Sequence, residues 1–256
     1  MWGGIFVCLL VFWGTLSFGA DVCRGLPTAP RAGPFPTLPY DPPYKPRPES
    51  FRLRVKSGGP EFRITVSSLP VDWQSFPSPE YVHAGDIEIA DCQGGARLHV
   101  LPIMAAQPID FAGTFFAKDV NFDGYLDISV FAETGGPLWV GSEWWWIYDP
   151  RSGRFVQNEL TQELHDLGIP NLGRNFEDAK HEITYPRFFP LTGACAEGTE
   201  RWGETSRYRI ENNRMILVHD EKLDWGVSNC TLTVSDLVGG EMVVTGVRSK
   251  PAKASH

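Results

Sequence analysis

The sequence predicts a mainly β protein, either an antiparallel β-sandwich or a propeller-like assembly of sheets, with one short helix. From about residue 50 onward, short runs alternate apolar and polar residues, as strands with one buried face do. Turn-forming residues separate these runs, and only one segment has helical spacing. The chain has 256 residues, of which 42% are hydrophobic, and this is enough for a sizeable core.

The predicted strands begin with two hairpins. F-R-L-R-V at 51–55 pairs with F-R-I-T-V at 62–66, and D-I-E-I-A at 86–90 pairs with R-L-H-V-L at 97–101. Asn212-Asn213 and Gly239-Gly240 are turns that tolerate positive φ. Further strands are expected at 114–118, 126–132, 143–149, 180–188, 206–211, 214–219, 230–236 and 241–247.

The single helix is predicted over 158–167, where Leu160, Leu164 and Leu167 recur on one face. We expect a calcium-binding β domain over 50–248 and a disordered polar tail over 249–256.

The N-terminal part is predicted to carry a secretory signal over 1–19 and a proline-rich linker over 20–49. The first segment has an uncharged apolar run of signal length, with small residues before a cut preceding Ala20. No positive residue precedes the run, so an uncleaved membrane anchor is the alternative. The prolines of the second segment favour an extended spacer. We therefore expect a periplasmic or secreted protein, which contacts a membrane only if the signal is retained.

Removal of Cys8 with the signal leaves four cysteines, and an even number in an exported chain favours disulfides. Three pairings are possible. We favour Cys195 with Cys230, because both lie in the strand-rich C-terminal part, and Cys23 with Cys92 as the remaining pair.

The formal net charge of −8 argues against a nucleic-acid partner, because such proteins need a basic face to replace counterions on phosphate.

The segment D-V-N-F-D-G-Y-L-D at 119–127 predicts a Ca2+ site. Calcium takes six to eight hard oxygen ligands, whereas Mg2+ prefers a strict octahedron with several waters. Counted from Asp119, position 12 of this loop is Val130, where an EF-hand needs Glu. Asp127 must therefore complete the coordination shell. An Asx-rich turn without an ion is the alternative. The predicted ligands are Asp119, Asn121, Asp123, the Tyr125 carbonyl and Asp127.

The strand around E-W-W-W-I-Y places Trp144, Trp146 and Tyr148 on one face and Trp145 with Ile147 on the other. Stacked aromatic rings bind sugars, so a carbohydrate-binding or adhesive module that binds a glycan is the alternative function. Burial on both faces explains the same residues, and we favour it.

The sequence matches known catalytic motifs only poorly, and we predict that the chain is not an enzyme. His181-Glu182 lacks the second histidine of a zinc protease, and no G-x-S-x-G motif occurs. Glu133 and Glu143 are a formal glycosidase pair, but two acids in such a segment are usually solvated surface.

The order of these blocks resembles a family of small exported bacterial β-proteins. The resemblance rests on D-V-N-F-D-G-Y-L-D-I, W-W-W-I-Y-D-P-R-S-G-R-F, K-H-E-I-T and S-R-Y-R-I-E-N-N-R-M-I-L-V, and covers about residues 110–247. The family includes a calcium-binding immunity protein that inhibits a peptidoglycan hydrolase delivered by a type IV secretion system. Its fold is similar to that of periplasmic inhibitors of invertebrate-type lysozyme.

The resemblance implies that the chain binds calcium and inhibits a cell-wall hydrolase or lysozyme by inserting a loop into the enzyme's cleft. Such inhibitors use a Ser-Gly-x-Tyr-like motif, and the matching positions are Ser152, Gly153, Arg154 and Phe155. Phe155 lacks the phenolic hydroxyl of the motif, and a plain β-turn is the other interpretation. A guanidinium at Arg154 suits the catalytic carboxylates of a muramidase.

Overall fold

The computed structural model describes residues 21–31, 48–71, 82–105, 114–135, 140–167, 176–187, 204–225 and 229–251. The predicted signal over 1–19 and Cys195 lie outside these residues. Among the helices described, none is long and apolar enough to cross a membrane.

In the described part of the chain, the strands form three antiparallel sheets, which confirms the predicted β-sandwich class. Sheet 1 has the order β1-β2-β3-β4, sheet 2 the order β5-β6-β7-β8, and sheet 3 the order β14-β13-β12-β11-β10-β9. In sheet 1, the strands are β1 Glu49–Arg54, β2 Glu61–Ser68, β3 Val82–Asp91 and β4 Arg97–Ala105. In sheet 2, they are β5 Phe116–Lys118, β6 Asp127–Gly135, β7 Val140–Asp149 and β8 Arg154–Val156. In sheet 3, they are β9 Phe176–Glu177, β10 Glu182–Arg187, β11 Glu204–Glu211, β12 Arg214–Trp225, β13 Asn229–Val238 and β14 Glu241–Pro251.

Sheet 2 lies at the centre of the molecule, with apolar contacts on both faces. One face packs against sheet 1, and Trp146, Tyr148 and Phe155 belong to this core. The other face carries Trp145 and Ile147, which contact the helix and the first strands of sheet 3. The alternation predicted for the tryptophan strand is therefore confirmed, because neighbouring residues of a strand enter opposite cores.

The helix α1, Glu159–Asp166, covers the second face of sheet 2. Asn158 and Thr161 form a reciprocal capping box, in which each side chain accepts a hydrogen bond from the backbone N–H of the other residue. Leu160 and Leu164 are fully buried, and Leu167 packs against the same core, as predicted. The Glu163 carboxylate also accepts a hydrogen bond from the Met215 N–H (2.7 Å), which fixes α1 against β12.

Residues 21–31 belong to the fold, so the prediction of an extended linker is wrong for this segment. Ala29 is buried and its N–H donates to the Arg52 carbonyl (2.9 Å). The Ala117 N–H donates to the Pro30 carbonyl (2.8 Å), so the segment joins sheets 1 and 2. Proline prevents a helix or an inner strand here but leaves its carbonyl free to accept such bonds. At the other end, β14 extends to Pro251, three residues beyond the predicted domain boundary at 248.

The predicted disulfide between Cys23 and Cys92 is present, with 5.2 Å between the Cα atoms, and it holds the N-terminal segment next to the end of β3. Cys230 is also disulfide-bonded. Its pairing with Cys195 stays a prediction, because Cys195 lies outside the described residues.

Replacing Cys23 and Cys92 by alanine should lower the free energy of unfolding by up to about 4 kcal/mol, because the bond restricts the unfolded chain across a long loop. The sequence separation is 69 residues. The measurement is urea denaturation of the oxidised wild type and of the double variant. Equal midpoints and equal slopes for the two proteins would contradict a stabilising role for this bond.

Candidate functional site

The loop 119–127 connects β5 to β6 and is organised by its own carboxylates. Asp119 accepts hydrogen bonds from the N–H groups of Asp123 (3.1 Å) and Gly124 (2.8 Å). Asp123 in turn accepts one from the Tyr125 N–H (2.9 Å). Phe122 and Gly124 have φ values of 60° and 86°. Glycine adopts this left-handed conformation without strain, whereas Phe122 needs its surroundings to hold it there.

Asp127 is the buried anchor of the loop. Its carboxylate is completely buried and accepts two backbone hydrogen bonds, from the Val120 N–H (2.9 Å) and the Tyr148 N–H (2.8 Å). Burial raises the pKa of Asp127 well above its ordinary value, against the two hydrogen bonds, and the nearby Asp123 and Asp119 carboxylates raise it further. The anchor therefore joins the loop to β7 through a carboxylate whose negative charge is costly.

The donor set fits a calcium ion chemically. The five predicted ligands all offer hard oxygens. Burial first, and then repulsion from neighbouring carboxylates, raises the pKa of both Asp119 and Asp127, and a cation would offset that repulsion. The three carboxylates do not converge within 4.8 Å of one another. In the described chain, one group of acidic or cysteine side chains does lie within 4.8 Å, namely Asp21, Cys23 and Cys92. Its two cysteines form the disulfide and offer no free thiol to a metal.

Contacts from the loop reach sheets 1 and 3 as well as sheet 2. The Leu126 N–H donates to the Val55 carbonyl (2.7 Å), at the end of β1. The Asn121 side chain donates to the Asn213 side chain (3.0 Å), in the turn between β11 and β12. Phe122 stacks on His181 with 4.6 Å between ring centroids and 6° between planes. Sequence reasoning missed this last contact, because two positive φ values in bulky residues leave no mark in a sequence pattern.

The predicted binding loop forms the turn between β7 and β8. Asp149 fixes this turn by accepting hydrogen bonds from the N–H groups of Arg151 (3.0 Å) and Ser152 (3.3 Å). Hydrogen bonding from Ser152 and then from the Arg151 backbone lowers the pKa of Asp149. The Gly153 N–H donates to the Asp149 carbonyl (2.8 Å), with φ at 68° for Gly153. The turn is thus held in one shape by its first residue.

Phe155 does not lie at the surface of this turn, and its assignment to a loop that enters an enzyme is wrong. Only 2% of Phe155 is exposed, and its ring packs edge-on against Phe62 (5.9 Å) and Tyr148 (5.3 Å). Strand alternation sends it into the core and its neighbour Arg154 out to solvent. Arg151, which precedes the Ser-Gly-x-Tyr-like motif, is exposed beside Ser152 and Arg154.

His99 supports the turn from β4. Its Nε2 accepts a hydrogen bond from the Phe155 N–H (3.4 Å), which requires the neutral ring. Burial lowers the pKa of His99, and the positive charge of Arg154 lowers it further. The neutral imidazole is therefore part of the folded turn at neutral pH.

The tryptophan strand offers no platform of stacked rings to a glycan. Trp145 and Trp146 are 0% and 3% exposed. Trp144 is partly buried, stacks on His165 at 3.7 Å between centroids, and donates its Nε1–H to the Met104 carbonyl (2.6 Å). Glu143, one of the two acids considered for glycoside hydrolysis, is buried at 2% exposure, and the Glu133 side chain lies outside the described part.

Comparisons with known proteins give distant likenesses of structure. No protein-family model matches the chain, and no curated protein matches it. A Xanthomonas type IV secretion system related protein is similar in structure at 14% identity and a TM-score of 0.46, over 78% of this chain and 99% of that one. An exotype rhamnogalacturonan lyase is similar at 15% identity and a TM-score of 0.26, over 88% of this chain and 36% of the lyase. Likeness at these levels bears on no activity of this chain.

Acidification should destabilise the wild type more than the variant His99→Gln. The folded pKa of His99 lies below its unfolded value, so its contribution is complete above about pH 6.5 and is lost as the pH falls toward the folded pKa. Glutamine offers an acceptor to the Phe155 N–H but does not titrate. The measurement is the melting temperature of both proteins at about pH 7 and about pH 5. An equal fall in the melting temperatures of the two proteins would show that protonation of His99 does not destabilise the fold.

Proposed function

We propose that this chain is an exported calcium-binding protein that inhibits a peptidoglycan hydrolase, with the β7–β8 turn occupying the enzyme's cleft. The observation that carries the proposal is an exposed turn of fixed shape that presents Arg151 and Arg154. The resemblance of the ordered sequence blocks to exported inhibitors points to the same turn. A binding element that is already in its bound shape loses little conformational entropy on association.

The chemistry of the turn suits a cleft that contains carboxylates. Most glycoside hydrolases act through two acidic side chains that flank the scissile bond. A guanidinium pairs with a carboxylate through two parallel hydrogen bonds, and such pairs become strong when the interface excludes water. Arg151 and Arg154 offer two such groups, one on each side of Gly153. Occlusion of the cleft excludes both glycan and water, and an inhibitor of this kind needs no turnover of its own.

In this proposal, calcium has a structural role and no catalytic role. Asp119, Asn121, Asp123, the Tyr125 carbonyl and Asp127 would hold it. A bound divalent ion neutralises carboxylates in the loop. Asp127 then links the loop to Tyr148, which packs against Phe155 directly behind the arginine turn.

Export is supported by the cysteine chemistry of the chain. Cys23, Cys92 and Cys230 are disulfide-bonded, and such bonds persist in oxidising compartments such as the periplasm.

Calcium should stabilise the wild type and should not stabilise Asp123→Asn. A ligand at about 100 times its dissociation constant contributes roughly 2.7 kcal/mol to the folded state. Asp123 is exposed, and asparagine keeps an acceptor oxygen for the Tyr125 N–H, so the replacement should leave the calcium-free stability nearly unchanged. The measurement is the melting temperature with calcium and with a chelator, and the exposed Asp166→Asn serves as a matched control. Identical melting with and without calcium in the wild type would refute the metal site.

The variant Asp127→Asn distinguishes the role of Asp127 as a buried anchor from its role as an ion ligand. Its amide keeps one acceptor oxygen and places an NH2 group against the second backbone N–H, so the variant should lose about 1–3 kcal/mol even in chelator. The measurement is urea denaturation in chelator beside Asp123→Asn. Equal effects of the two substitutions in chelator would contradict the distinct role of Asp127.

Purified protein should inhibit a muramidase acting on insoluble peptidoglycan at near-stoichiometric amounts. Arg151→Ala and Arg154→Ala should each raise the inhibition constant by roughly 30-fold or more, as for central residues of an interface. Both variants should melt close to the wild type, because both side chains are exposed. Arg24→Ala, at an exposed arginine in the turn over 22–25 and outside the β7–β8 turn, is the matched control.

Two results would overturn the inhibitor proposal. The first is the absence of inhibition across a panel of muramidases that includes any hydrolase encoded beside this chain. The second is cleavage of peptidoglycan by the purified protein alone, which would make it an enzyme.

A further inference from the structure

β14 forms one edge of sheet 3, and within the described part of the chain only β13 pairs with it. The strand has 11 residues, whereas strands commonly have about 5–6. The outer side of such a strand presents a row of backbone N–H and C=O groups that favours pairing with another strand.

Apolar side chains line this edge strand and are exposed to solvent. Val244 and Val247 are 58% and 61% exposed, and Met242 is 39% exposed. The three share one face, because their partners on β13 stand on alternate positions. These partners are Leu237 opposite Met242, Ser235 opposite Val244, and Thr233 opposite Val247. The register shift at Val234/Ser235 gives β14 one extra residue, which keeps Val244 and Val247 on the same face.

The charges of β14 complement a second copy of the same strand. Glu241 stands at its beginning and Arg248 near its end. In an antiparallel pair centred between Val244 and Thr245, Glu241 of one copy lies opposite Arg248 of the other. The same register places Met242 opposite Val247. A two-fold axis repeats each of these contacts, so the strand is self-complementary in both charge and apolar surface.

We propose that two copies of this chain associate through antiparallel pairing of their β14 strands, which joins the two six-stranded sheets into one. The occupant of the edge is a second copy because the pattern of charges matches itself. The pairing supplies partners to the outer backbone groups and places the rows of Met242, Val244 and Val247 from the two copies side by side on one face of the joined sheet. It lies in sheet 3, separate from the arginine turn of sheet 2, and does not depend on the inhibitor proposal.

The test is the sedimentation behaviour of the purified protein over a wide range of concentrations, combined with charge reversals. The wild type should pass from monomer to dimer as its concentration rises. Glu241→Arg and Arg248→Glu should each weaken the dimer by about tenfold or more, because each puts two like-charged pairs in place of two opposite pairs. The double variant Glu241→Arg/Arg248→Glu restores opposite charges and should dimerise like the wild type.

Arg24→Glu, with the same charge change at an exposed site outside sheet 3, should leave the dimer unchanged. Val244→Lys should abolish it, and circular dichroism should show the fold intact in every variant, because the substituted side chains are exposed. Amide hydrogen exchange along 242–250 should slow as the protein concentration rises. A monomer at every concentration, a dimer indifferent to the single reversals, or a double variant that stays monomeric would each overturn the proposed pairing.

Discussion

The fold depends on one buried carboxylate, that of Asp127, which binds the loop 119–127 to the central sheet. It accepts hydrogen bonds from Val120 at the start of the loop and from Tyr148 on the neighbouring strand. An ionised group at 0% exposure is costly, and hydrogen bonds from two backbone amides offset part of that cost. The same loop contacts Val55, next to the end of β1, and Asn213, in the turn between β11 and β12, so the loop that Asp127 anchors touches elements of all three sheets.

From this anchor, a short chain of contacts leads to the surface that we propose to be functional. Tyr148 packs against Phe155, and the backbone of Phe155 is held by His99. Arg154 follows on the exposed side of the same strand. Packed side chains of this kind restrict the turn to one conformation, which is the property an occluding loop requires. The loop that would hold the ion and the turn that would meet the enzyme are therefore neighbours in the core rather than parts of one site.

Much of the fold could be predicted from the sequence, because strands and helices leave patterns in residues that are close together in the chain. Alternation located the main strands, and the spacing of Leu160 and Leu164 located the helix. Alternation also placed Trp145 apart from Trp146, but it did not show that Phe155 faces the core. The docking of residues 21–31 was missed because proline-rich segments have no periodicity, and their hydrogen bonds go to distant strands. Stacking of Phe122 on His181 depends on tertiary context in the same way.

The central claim is that Asp127 holds the loop and the core together, and native-state hydrogen exchange of two amides tests it most directly. The Val120 and Tyr148 amides, which donate to Asp127, should exchange only through unfolding of the whole domain. In Asp127→Asn, at least one of them should exchange faster, by more than the change in global stability accounts for. Rapid exchange of both amides in the wild type, as at a solvent-exposed turn, would contradict the account.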